Sequence, residues 1–242
     1  LFGGRQQVVG NESITCLKHP ELYETGNALI TDNLLSAAKE QGFTGRVVVI
    51  STGALYDPTR PMPINEDSAV VENSPYAVGK LRAEAVAKTY KENGVDVVVV
   101  RPFNHIGPHQ GPGFLLPDLY QQLKDAKEQG SSVIKVGNLT TRRDYTDVRD
   151  VVAAYTLLAT AETLQHDTYN VATGESHTGL EILDILKQCL NVTDIETIVD
   201  PDKIRPTDIK DIVGDASRLK NELGWQPASN IATAIKDFVA NA

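Results

Sequence analysis

Arg46-Val-Val-Val-Ile-Ser51 and Val95-Asp-Val-Val-Val-Val-Arg101 flank a helix-length stretch that opens at Asn73-Ser-Pro75 and stops at Gly94. These residues decide the fold. Each flanking run is apolar, rich in β-branched residues and lacks polar alternation, as in strands covered on both faces of a parallel sheet. Pro75 behind Ser74 suits the first turn of a helix, where its missing N–H has no bond to make. Strand, long helix, strand is a βαβ unit. The class is therefore α/β, with a Rossmann-like, doubly wound parallel sheet.

Outward from this unit, residues 27–41 set Leu29, Asn33, Leu34, Ala37 and Ala38 near one helical face, and Gly42 ends the run. After Pro102 the pattern changes. His105 to Pro117 is rich in Gly and Pro and reads as a loop. Helices are predicted at 117–129, 151–164, 180–190, 216–223 and 231–242, with short strands at 133–136 and 169–172. The chain divides into residues 1–102, part of a sheet domain, and 103–242, mainly a smaller α+β cap interleaved with it. Two strong strands alone make a poor sheet. A nucleotide-binding fold also opens with a strand, a Gly-rich turn and a helix, which residues 1–26 do not supply.

The 242 residues carry 23 Lys and Arg against 32 Asp and Glu, a net charge of −9 that speaks against nucleic acid as a partner. No apolar run approaches the roughly 18 residues needed to cross a bilayer. Cys16 and Cys189 are far apart and without metal-type spacing, which fits a reducing, cytoplasmic compartment. His105 and His109 lie in the Gly/Pro loop without a third ligand, so no metal is expected there.

Tyr76-Ala-Val-Gly-Lys80 places a phenol and an ammonium on one helix face. The Lys80 charge and the helix N-terminus both favour the phenolate, which suits Tyr76 to proton transfer with a sugar hydroxyl or carbonyl. Tyr120-Gln-Gln-Leu-Lys124 has the same spacing and reads as an ordinary surface pair. Context separates the two. Tyr76 opens a capped helix after a strand ending in Ser51-Thr52, and open α/β sheets bind ligands at the carboxyl ends of their strands.

Thr52, Tyr76 and Lys80 together resemble the Ser/Thr–Tyr–Lys triad of the short-chain dehydrogenase/reductase superfamily. Further segments resemble its extended epimerase/dehydratase branch, which acts on nucleotide sugars. They are Pro20 to Leu35 with Asn27 and Thr31, Arg101-Pro-Phe-Asn104, Arg142-Arg-Asp-Tyr145 through Asp150, Arg205-Pro-Thr-Asp208, and Leu223-Gly-Trp-x-Pro227. Ile30 stands where that branch has Gly.

The resemblance implies that Thr52 holds the reacting sugar oxygen, Tyr76 moves the proton, and Lys80 holds the nicotinamide ribose. Ser51, Tyr76, Lys80 and Pro102 would line an NADP or NAD cofactor. Asn104, Arg143, Arg205 and Asp208 would meet the nucleotide sugar, a guanidinium fork being well suited to a diphosphate. A homodimer is expected. Dehydratases of this branch carry a carboxylate two residues after the triad threonine, and here that position is Ala54. Phe103-Asn-His-Ile-Gly-Pro108 and Gln110-x-Pro-Gly-Phe114 most resemble GDP-4-keto-6-deoxymannose reductases. A 4-epimerase would use the same triad and stays open as an alternative. So does a nucleotide-sugar-binding fragment without turnover, because the Gly-rich phosphate loop is not in the sequence. On this reading the motifs begin at the fourth strand of the fold, with roughly 60–80 residues expected upstream.

Overall fold

The computed structural model describes residues 19–204 and 209–242. The sheet that organises it holds β1 (Val47–Ile50), β2 (Val97–Pro102) and β6 (Thr168–Val171), all parallel, in the order β1-β2-β6. The third strand is the short segment foreseen at 169–172, and it gives the two valine strands a sheet to belong to.

Helices cover both faces, which accounts for the unbroken apolar runs. On one side Val49, Val97 and Val99 meet Leu35 of α1 (Pro20–Glu40) and Ala87 of α2 (Pro75–Glu92). On the other, Val98 and Val100 meet Val151, Ala154 and Leu158 of α4 (Val148–Thr160), together with Leu219 of α6 (Ser217–Leu223) and Trp225. Alternate valines of one strand thus feed two cores.

The cap is built on α3 (Leu115–Gln129), α5 (Gly179–Leu190) and α7 (Ile231–Ala240), whose Leu119, Leu123, Ile182, Leu186, Ile235 and Phe238 share one core. The C-terminal helix is core cover, as its amphipathic pattern requires. β4 (Val133–Val136) pairs in parallel with β8 (Glu196–Val199). A separate sheet joins β3 (Asn104–Ile106), β5 (Arg142–Asp147), β7 (Ser176–Thr178) and β9 (Asp211–Ile212).

Several expected bounds move. α1 starts at Pro20, seven residues before the expected start, because Pro20 occupies the first turn and Glu21 faces the positive helix end. β3 overlaps the start of the segment expected to be loop, since its backbone pairs with the distant β5.

Candidate active site

The β1 strand ends in the residues that matter. Ser51 is buried, and its N–H donates to the Val100 carbonyl at 2.7 Å, keeping it in the ladder. Its Oγ is also buried and has no hydrogen-bond partner among the described residues. Buried hydroxyls are nearly always satisfied, so this atom points to a polar group that completes the site. It is the observation by which the residues present fit a bound cofactor.

Thr52 turns the chain. In extended conformation it caps the short 3-10 helix Gly53–Leu55, and its Oγ1 accepts from the Ala54 N–H at 3.2 Å. Gly53 has no room for a side chain, because a Cβ there would sit 2.9 Å from the Phe103 ring. The Thr52 turn therefore rests on the residue just before Asn104.

Ser74 caps α2, its Oγ accepting from Ala77 N–H at 3.2 Å. Tyr76 and Lys80 follow on adjacent turns, with Lys80 Nζ 5.8 Å from the centre of the Tyr76 ring. The same ammonium donates to the Ile50 carbonyl at 3.0 Å. Lys80 thus ties the helix to the end of β1, one residue before Ser51 and two before Thr52. The helix bearing Tyr76 is thereby linked to the strand end that precedes Thr52.

Tyr120 is a different residue from its counterpart in spacing. It is not a surface residue as expected, but packs edge-on against Phe238 at 5.4 Å in the cap core. The apolar side of α3 supplies the reason, since Tyr120 follows Leu116 and Leu119 on the face that meets α7.

The expected substrate residues that are described come from the second sheet. In β3 and β5, Asn104 stands opposite Tyr145 and is exposed. Arg143, two residues before Tyr145, stands opposite His177 of β7 and Ile212 of β9. Residues two apart on a strand share a face, as do paired residues. Asn104 and Arg143 therefore lie on one face of the second sheet. Arg143 Nη1 donates to the carbonyls of Arg142 and Ile209, each at 2.7 Å. Arg205 and Asp208 lie outside the described residues. Pro102 is buried at the end of β2, in register with Val171.

Sequence reasoning named the Arg-Asp-Tyr segment but gave Asp144 no role of its own. Asp144 is fully buried and accepts from Thr173 N–H (2.9 Å), Thr173 Oγ1 (2.7 Å), Gly174 N–H (2.9 Å) and Gly214 N–H (3.2 Å). Burial pushes its carboxyl up, against these four donors. It clamps the strand bearing Arg143 to two distant turns. Arg101, named only within its segment, was likewise given no role, and Glu84 was missed. A charged residue closing a valine strand was the signal.

The carboxylates near Thr52 are occupied elsewhere. Asp57 Oδ1 accepts from the N–H and hydroxyl of Thr59, at 2.9 and 2.7 Å. Glu66 Oε1 accepts from Asn170 N–H at 2.8 Å, and its Oε2 lies 3.6 Å from Arg218. Ala54, two residues after Thr52, is exposed and brings no acid.

Known proteins resemble this chain in sequence and fold. The family model described as GDP-mannose 4,6 dehydratase matches residues 12–238. A GDP-6-deoxy-D-mannose reductase of Pseudomonas aeruginosa is 34% identical over 224 residues, covering 89% of this chain and 71% of the relative. Among solved structures, RMD from Pseudomonas aeruginosa complexed with NADPH superposes with a TM-score of 0.87 at 30% identity, over 97% of this chain and 79% of that one. A UDP-N-acetylglucosamine 4-epimerase from Methanobrevibacter ruminantium, in complex with UDP-N-acetylmuramic acid, gives 0.81 at 26% identity, over 95% and 72%.

Proposed function

The chain belongs to the GDP-mannose 4,6-dehydratase family of NAD(P)-dependent nucleotide-sugar enzymes, and on that premise we propose that it reduces the C4 keto group of a GDP-4-keto-6-deoxyhexose. One observation carries the choice within the family. Lys80 reaches the Ile50 carbonyl at the end of β1 and lies 5.8 Å from the Tyr76 ring, which supports the proton-transfer reading, while the place where dehydration needs an acid holds Ala54. Neither nearby carboxylate can replace it, because Asp57 and Glu66 are held by Thr59 and by Asn170 and Arg218.

Thr52 Oγ1 holds the C4 oxygen, and Tyr76 gives its phenolic proton to that oxygen as negative charge develops there. Proton donation by a positioned side chain contributes about 10²–10⁴-fold in such steps. Lys80, fixed on the Ile50 carbonyl, lies close enough to favour the phenolate left behind. A bound NADPH or NADH supplies the hydride. Ser51, Tyr76, Lys80 and Pro102 are the residues that hold its nicotinamide half, and the unpartnered Ser51 hydroxyl is the support for that placement.

Asn104 and Arg143 on the shared cap face, with Arg205 and Asp208, take the nucleotide diphosphate. Residues 1–102 thus serve the cofactor and the chemistry, and 103–242 chiefly the sugar nucleotide. The exposed apolar residues of α1 support a homodimer, and the protein is placed in the cytoplasm.

The test is to follow NADPH consumption with a GDP-4-keto-6-deoxyhexose and identify the deoxyhexose formed. Interconversion of 4-epimers without net NADPH consumption would show the epimerase instead. Affinities for GDP and for NADPH, measured separately, distinguish either enzyme from a chain that holds the sugar nucleotide without turning it over.

A further inference from the structure

Arg101 is 8% exposed at the end of a strand otherwise made of valines. Its Nε and Nη2 meet the two carboxylate oxygens of Glu84 at 2.9 and 2.6 Å, fork against fork. Glu84 stands on α2 one turn beyond Lys80 and two beyond Tyr76. The guanidinium also lies 4.9 Å over the ring of Tyr56. Tyr56 ends the turn that begins at Thr52, and its hydroxyl donates to Asn170 Oδ1 at 2.7 Å.

This one pair touches three segments, each of which bears part of the site. Arg101 precedes Pro102 and Asn104, Glu84 shares a helix with Tyr76 and Lys80, and Tyr56 closes the Thr52 turn. An ion pair taken out of water adds little stability over well-packed apolar side chains of the same volume, and its best attested use is to fix register. A bidentate fork fixes both distance and angle, which apolar contacts between alanines and valines do not. Helix α2 meets the sheet core through Ala87, with Val86 and Tyr90 packed alongside, contacts that carry no directional bond.

We propose that Arg101 and Glu84 are positioning residues that set the register of α2 on the sheet, and with it the placement of Tyr76 and Lys80 against Thr52. This rests on the reading of Tyr76 and Lys80 as the proton-transfer pair. Ionisable groups around the pair include Tyr56 under the guanidinium, Glu66 beyond Asn170 and Lys80 one turn back on α2, and Tyr155 of α4 is electrostatically coupled to Tyr76 itself.

The test follows the ionisation of Tyr76 in the whole chain by NMR of ring-labelled tyrosine, with Tyr76→Phe assigning the signal. Glu84→Gln removes a negative charge and leaves Arg101 unpaired, so its direct electrostatic effect is to lower the Tyr76 midpoint. Loss of register moves Lys80 away and raises it. The expected result is a rise of about 0.5 pH unit or more, roughly a threefold change in ionisation constant. Arg101→Lys keeps the charges and loses the fork, and gives a smaller rise. No change or a fall in both variants, with helix content intact, overturns the proposal. If Glu84→Gln does not fold, Arg101→Lys decides alone. A wild-type Tyr76 that titrates like an ordinary tyrosine, near about 10, removes the premise, an outcome distinct from unaltered variants of a perturbed Tyr76.

Discussion

Tyr76 and Tyr120 share one spacing and have different surroundings, and the contrast yields a paired prediction. Tyr76→Phe removes the proposed proton donor and should lower turnover by about 10²–10⁴-fold, with little change in nucleotide-sugar affinity. Tyr120→Phe keeps the edge contact with Phe238 and should leave turnover within about twofold. Steady-state kinetics on the two variants check this. Equal losses would place the proton donor elsewhere. The candidate triad could be named from sequence because its parts are local: Tyr76 and Lys80 lie about one helical turn apart, and Thr52 closely follows an obvious strand. Asp144 was not. Its partners are Thr173, Gly174 and Gly214, and nothing in Arg-Arg-Asp-Tyr announces that two remote turns will point their N–H groups at one carboxylate.

The elements hold the site through close approaches that can be broken singly. At Gly79 a Cβ would lie 1.8 Å from the Tyr23 carbonyl oxygen, so α1 and α2 cross in near backbone contact. Gly79→Ala must push the helices apart. A loss of about 1–3 kcal/mol is expected from the overpacking, set against the usual gain from Ala in a helix. Denaturant titration measures it, and a more stable variant would show that the helices separate at no cost.

At the start of α4, Asp147 caps the helix through Arg149 N–H at 2.8 Å and pairs with the Arg149 guanidinium at 2.6 Å. Burial raises its carboxyl, but the hydrogen bonds and charge of Arg149 outweigh that and hold it below the usual carboxylate range. A depressed value means that the stabilisation is complete above the unfolded pKa and disappears as pH falls through the folded one. Asp147→Asn keeps a capping side chain and loses the charge. Its deficit in melting temperature should be constant above about pH 5 and close on acidification below about pH 4. A deficit that persists in acid would assign the effect to packing.

Strands β1 and β2 were readable because burial on both faces leaves only apolar residues. β5, Arg142–Asp147, was not read as a strand, since its six residues include four charged side chains whose partners come from other elements. β7 and β9 exist only as its neighbours.

At the scale of the whole molecule, charge and apolar surface pull in opposite directions. A net charge of −9 makes two copies repel, so any association must be driven by burial of apolar area. Helix α1 offers that area, with Leu22, Leu29, Ile30 and Leu34 exposed by 63, 59, 69 and 53%. These residues span one broad side of the helix, while Leu35 alone of its residues is fully buried in the sheet core. α1 carries no site residue itself but packs against α2 at Gly79, between Tyr76 and Lys80 in sequence. The proposed homodimer, seated on α1, would therefore brace the helix that bears Tyr76. Three results are expected in sedimentation experiments. The chain should self-associate, and added salt should strengthen that association by screening the repulsion. Ile30→Lys should weaken it by at least about tenfold, from the burial of an ammonium where an apolar side chain sat. Because Ile30 is exposed in the single chain, that variant should keep its melting temperature when measured as a monomer. A wild-type chain that stays monomeric would remove the dimer, and a variant that associates as the wild type does would move the interface away from α1.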